Sequence, residues 1–129
     1  MKILIAEDSE LNFEMLAACL GAGVHDVLWA RGGEEAIGEL ATGKFDLLLL
    51  DLHMPRVDGF TVLRWLQDRE SSGMKVIVLT ADDAVREETM ALGADAFLTK
   101  PLDLKQLSAA IKVVTGIAAG CGGWREEPS

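Results

Sequence analysis

Short apolar runs alternate with helix-period apolar spacing along the whole chain. KILIA (Lys2–Ala6), DVLWA (Asp26–Ala30), FDLLLL (45–50), KVIVLT (Lys75–Thr80) and AFLT (Ala96–Thr99) have strand length and strand composition. The segments between them read as helices. Residues 9–20 place Leu11, Met15, Ala18 and Cys19 on one stripe, and residues 33–41 turn Ala36, Ile37 and Leu40 inward. Residues 59–69 do the same with Val62, Leu63 and Leu66, and residues 84–92 form a helix closed by Gly93. A last helix opens at Asp103, with Gln106 as its capping-box partner, and ends near Gly116.

Five strand–helix repeats predict a parallel sheet, because parallel neighbours need a long crossover. The expected fold class is therefore α/β, an open doubly wound sheet, and in such sheets the ligand site lies beyond the C-terminal strand ends. Those ends carry Glu7-Asp8, Asp51, Thr80 and Thr99-Lys100-Pro101. The run of residues 47–50 is the most apolar of the five, which marks a central strand covered on both faces and ending on Asp51.

Converging carboxylates need an offset. Two of them about 4 Å apart repel by roughly 4 kcal/mol at an effective dielectric near 20. A hard divalent cation removes that penalty, and an all-oxygen donor set suits Mg²⁺ or Mn²⁺ better than Zn²⁺. Asp51, ionised at neutral pH, can act as a nucleophile and form an acyl phosphate without a general base. Mg²⁺ would then bridge Asp8, Asp51 and a phosphoryl oxygen, with Lys100 and Thr80 serving the other oxygens.

In this order, and with the flanking stretches MPRVDG (residues 54–59) and GADAFLTKP (residues 93–101), the chain resembles the receiver domain of two-component and phosphorelay response regulators. The likeness covers residues 1–116, leaving residues 117–129 as a glycine-rich tail or linker stub. It implies the flavodoxin-like strand order 2-1-3-4-5 and phosphorylation of Asp51 by a histidine kinase or phosphotransfer protein. It also implies a metal site of Asp8, Asp51 and the His53 backbone carbonyl, with Glu7 acting through a metal-bound water. Thr80 and Phe97 would be the switch pair, and His53 and Asp82 would tune the phosphate lifetime. Phe13, expected to be exposed on the first helix, is a candidate donor contact. The face of the fourth helix, fifth strand and fifth helix would meet a downstream partner or a second copy. Relatives also make the Lys100–Pro101 bond a candidate cis peptide. Glu7 departs from the family's commoner Asp, and Phe97 lacks the hydroxyl of the alternative Tyr.

Composition narrows the field further. The 129 residues carry a net charge of −9, which disfavours contact with nucleic acid or anionic lipid. The acidic start is unlike a secretory signal, and no apolar run is long enough to span a bilayer, so a cytoplasmic protein is expected. Met1 directly before the first strand favours a natural start. Cys19 and Cys121 lack metal-ligand spacing and read as free thiols. His25 reads as a surface-loop residue, and Trp29 and Trp65 as packing at the core edges. GELATGKF (38–45) matches a P-loop only in part and runs from helix to strand, the reverse of the required context. GAGVHD (21–26) likewise lacks the third glycine of a dinucleotide loop.

The alternative reading is a Mg²⁺-dependent phosphohydrolase with an aspartyl nucleophile, of the haloacid-dehalogenase type. Such enzymes carry D-x-D at the nucleophile, where this chain has Asp51-Leu52-His53. The receiver reading needs no separate catalytic domain: Asp51 takes phosphate from a donor and later loses it.

Overall fold

A computed structural model describes residues 1–21, 25–69 and 73–117. The five strands are β1 (Lys2–Ala6), β2 (Asp26–Ala30), β3 (Leu47–Asp51), β4 (Lys75–Thr80) and β5 (Ala96–Thr99). They alternate with α1 (Glu10–Cys19), α2 (Gly33–Thr42), α3 (Gly59–Gln67), α4 (Arg86–Ala91) and α5 (Leu104–Thr115). All strand pairs are parallel, and the order is β2-β1-β3-β4-β5. The doubly wound sheet and its strand order match the expectation.

Alternation along each strand divides the interior in two. Leu48 and Leu50 of β3 join Leu4, Val76, Val78 and Phe97 beneath α2 and α3. Leu47 and Leu49 join Ile3, Ile5, Ile77 and Leu79 beneath α1 and α5. Every residue of β3 is buried. Each fully buried leucine contributes about 1.5–3 kcal/mol relative to exposure, so Asp51 ends the most firmly packed strand.

Local signals set the helix ends. Ser9 caps α1 through the Asn12 amide, and Asp58 caps α3 through the Thr61 amide. Gly93, with φ of 104°, and Gly116, with φ of 75°, take the left-handed conformation where α4 and α5 stop. The Lys100–Pro101 peptide is cis.

Several expectations need correction. Leu11 is 77 % exposed, Met15 is 38 % exposed and Ala18 is also exposed. The inward stripe of α1 is instead Leu16, Cys19 and Leu20, with Phe13 packed against it. Residues 11, 15 and 18 and residues 13, 16 and 20 both follow three- and four-residue helical steps, so periodicity alone could not choose between two apolar stripes. Asp103 accepts from the Lys105 amide rather than pairing with Gln106. The segment expected as one helix over 84–92 begins as a 3₁₀ turn, Asp83–Val85, because Asp82 caps the Ala84 amide there. His25 is half-buried beside β2, with Nδ1 3.2 Å from the Met1 nitrogen. Cys19 is not a free thiol; Cys121 and the rest of the expected tail from residue 118 lie outside the described residues.

Candidate functional site

The parallel register lines up the strand ends. Ala6 faces Leu50 across the β1–β3 pair, Asp51 faces Leu79 across β3–β4, and Thr80 faces Thr99 across β4–β5. The residues that follow β1, end β3 and follow β5 therefore meet on one edge. Carboxylate oxygens of Glu7, Asp8 and Asp51 all lie within 4.8 Å of one another. The Lys100 ammonium lies 3.2 Å from Glu7 Oε1 and 3.5 Å from Asp51 Oδ1.

Glu7 and Asp51 are buried, whereas Asp8 is exposed and opens the cluster to solvent. Glu7 Oε2 accepts from the Ser9 amide at 3.2 Å and from the Asn12 side-chain amide at 3.5 Å. Burial pushes the Glu7 carboxyl up from its ordinary 4.5, and the neighbouring Asp51 adds to the rise; Lys100 and the Ser9 amide oppose it without cancelling it. Asp51 Oδ1 accepts from the His53 amide at 3.2 Å, which together with Lys100 fixes the rotation of this carboxylate.

The backbone around Asp51 is close-fitting. A Cβ at Gly59 would fall 2.7 Å from the Asp51 carbonyl oxygen and 2.8 Å from the Leu52 Cα. The glycine of the MPRVDG stretch is thus required by the close approach of α3 to the end of β3.

Thr80 is fully buried, and its hydroxyl accepts from the Asp82 amide at 3.2 Å, leaving the hydroxyl proton to be donated elsewhere. Asp82 and His53 are exposed at the rim. Phe97 points inward, 5 % exposed, with the Arg86 guanidinium carbon 4.7 Å from its ring centroid. Phe13, expected to be exposed, is half-buried and stacks on Trp29 with centroids 4.6 Å apart and planes 7° apart.

Sequence reasoning did not find Asn12, Arg86 or Trp29 as neighbours of these groups. Asn12 was legible in principle, since it lies one helical turn beyond Ser9. The other two contacts are long-range and left no local pattern.

The donor chemistry fits a hard divalent cation. Three carboxylates and one ammonium leave a net charge of −2 within a few ångströms, all the ligand atoms are oxygens, and among the described residues no thiolate or imidazole joins the cluster.

The chain is similar to known proteins in sequence and in fold. The response regulator receiver domain family matches residues 3–112. Response regulator protein PmrA of Pseudomonas aeruginosa is 38 % identical over 122 residues, which is 93 % of this chain and 55 % of PmrA. RpfC of Xanthomonas campestris, a sensory/regulatory protein, is 38 % identical over 108 residues, 79 % of this chain and 15 % of RpfC. The chain thus spans about half or less of the curated relatives it matches. Among solved structures, the receiver domain of Francisella response regulator 1452 superposes with a TM-score of 0.80 at 26 % identity, covering 89 % of this chain and 96 % of that one. The Thermotoga maritima response regulator TrrA, solved in complex with Mg²⁺ and BeF, gives a TM-score of 0.78 at 27 % identity, covering 88 % and 97 %.

Proposed function

The chain belongs to the response regulator receiver family, and on that premise we propose that Asp51 is its phosphoacceptor and that residues 1–116 form the receiver unit. The observation that carries this reading is the convergence of Asp51, Asp8, Glu7 and Lys100 on one sheet edge. An Asp51 carboxylate oxygen bonds to the phosphorus of a phosphohistidine on a histidine kinase or phosphotransfer protein. The P–N bond breaks, and its electron pair stays on the imidazole nitrogen. No proton leaves the nucleophile, because it is already a carboxylate.

The Lys100 ammonium, held beside Asp51 by its ion pair with Glu7, meets negative charge on the transferring group. Thr80 donates its hydroxyl proton to a second phosphoryl oxygen. Asp8, Asp51 and the His53 carbonyl, with Glu7 in support, would hold Mg²⁺ or Mn²⁺, which would supply further charge neutralisation to the transferring group. Hydrolysis of the aspartyl phosphate returns Asp51 to the carboxylate, and the rim residues His53 and Asp82 set its rate by controlling the approach of water.

Phosphorylation draws Thr80 toward the new group and stabilises the inward Phe97, reshaping the α4-β5-α5 face for a downstream partner or a second copy. The donor docks on α1, whose outward face exposes Leu11 and Met15, with the half-buried Phe13 a candidate contact. The proposed setting is the cytoplasm; no helix among the described residues is long and apolar enough to cross a membrane.

The test is intact mass after incubation with a small acyl phosphate, with and without Mg²⁺, for wild type and Asp51→Asn. One phosphoryl adduct that needs both the metal and Asp51 is expected. Turnover of small phosphate esters without an adduct would favour a phosphohydrolase instead.

A further inference from the structure

Glu7 is held by more than its side chain. Its amide donates to the Ala30 carbonyl at 3.0 Å, and its carbonyl accepts from the Trp29 indole Nε1 at 2.7 Å. Both backbone groups are thus tied to β2. That carbonyl belongs to the peptide unit whose nitrogen is Asp8's own, and the unit is planar, so the indole fixes the plane on which Asp8 is mounted. The indole is itself immobilised. Phe13 stacks on it, and the Arg31 guanidinium carbon lies 4.4 Å from its ring centroid.

From these contacts we infer that Trp29 is a positioning residue of the acidic cluster: its N–H orients the Glu7–Asp8 peptide and thereby sets the cluster's affinity for a hard divalent cation. The inference rests on reading the cluster as the cation site of a receiver. A tryptophan that merely packs at the sheet edge contributes through its ring, whereas a positioning tryptophan contributes through its donor. The two roles separate when the N–H is removed and the ring is kept.

The experiment uses the full chain with Trp29→Phe and, to preserve the shape of the indole, with 3-benzothienylalanine placed at position 29. Mg²⁺ binding is measured by calorimetry, and phosphorylation by a small acyl phosphate is followed as a function of Mg²⁺ concentration. Removing a partner that orients a metal ligand weakens binding by about 10–100-fold, and an effect near the lower end is expected for a backbone contact. The Mg²⁺ concentration at half-maximal rate rises in parallel, while the rate at saturating Mg²⁺ stays within about twofold of wild type. A benzothienyl variant with wild-type Mg²⁺ affinity overturns the positioning role and leaves the receiver reading intact. A lower saturating rate with unshifted half-saturation also overturns it. Wild type that binds no Mg²⁺ overturns both.

Discussion

Lys100 forms an ion pair with Glu7 at 3.2 Å although 93 residues separate them in sequence. The pair joins the far ends of β1 and β5 across the site and holds the ammonium within 3.5 Å of Asp51. Lys100→Met removes both contacts. Phosphorylation by a small acyl phosphate is expected to slow by about 10²–10³-fold, the loss usual when one donor to a developing anion is deleted. Mg²⁺ binding moves the opposite way and tightens, because the carboxylates lose their built-in counter-charge. Calorimetry and a phosphorylation time course on the same variant test the two signs together.

The raised Glu7 carboxyl gives metal-free protein a pH dependence of defined sign. Above the ordinary value of 4.5 the unfolded chain has released this proton, while the folded chain, with Glu7 buried beside Asp51, still holds it. The folded state binds more protons in that window, so this contribution to stability is complete below 4.5 and is lost as pH rises through the higher folded value. Urea unfolding in a chelator is expected to show stability falling with pH above 4.5, and Glu7→Gln to flatten that slope. Equal slopes in the two proteins would show that Glu7 is not the group responsible.

Gly59→Ala is expected to damage both the fold and the site. The new methyl would meet the Asp51 carbonyl and the Leu52 backbone, neither of which can rotate away. Overpacking of this kind costs about 1–3 kcal/mol. Chemical denaturation measures that loss. Phosphorylation of the folded fraction reports the displacement of Asp51, and it falls even under conditions where the variant is fully folded.

The exposed side of α1 distinguishes protein donors from small ones. Leu11→Asp combined with Met15→Asp is expected to leave phosphorylation by a small acyl phosphate unchanged. Transfer from a phosphorylated histidine phosphotransfer protein drops by at least about tenfold, equivalent to about 1.4 kcal/mol of lost docking energy. An equal loss with both donors would place the effect on folding or on the site rather than on docking.

The strand ends were legible because one rule, that open α/β sheets bind ligands beyond their C-terminal edges, converts strand prediction directly into a list of site residues. Asp51 followed from the leucine run before it, and Lys100 from its place after β5. The orientation of α1 did not follow. Both of its stripes are apolar, and the choice depended on Leu16 and Leu20 packing against Ile3, Ile5 and Leu47, contacts made across the sheet. Trp29 was legible as an edge residue, but its bond to the Glu7 carbonyl arises only once β1 and β2 pair in the observed register. The start of α4 was misread for a local reason, since the Asp82 cap makes a tight turn from residues with adequate helix propensity.

The divided interior has a consequence for how such a chain can diversify. Leu47 and Leu49 look toward the layer containing α1 and α5, and Leu48 and Leu50 toward the layer containing α2 and α3. Substitutions that retune α1 for a new donor repack one compartment and leave the other as it was. The reverse holds for changes beneath α2 and α3. The sheet itself is common to both, since β1, β3 and β4 each send alternate residues into the two layers, so either helical layer can change around a shared sheet that keeps Asp51 at the end of its central strand.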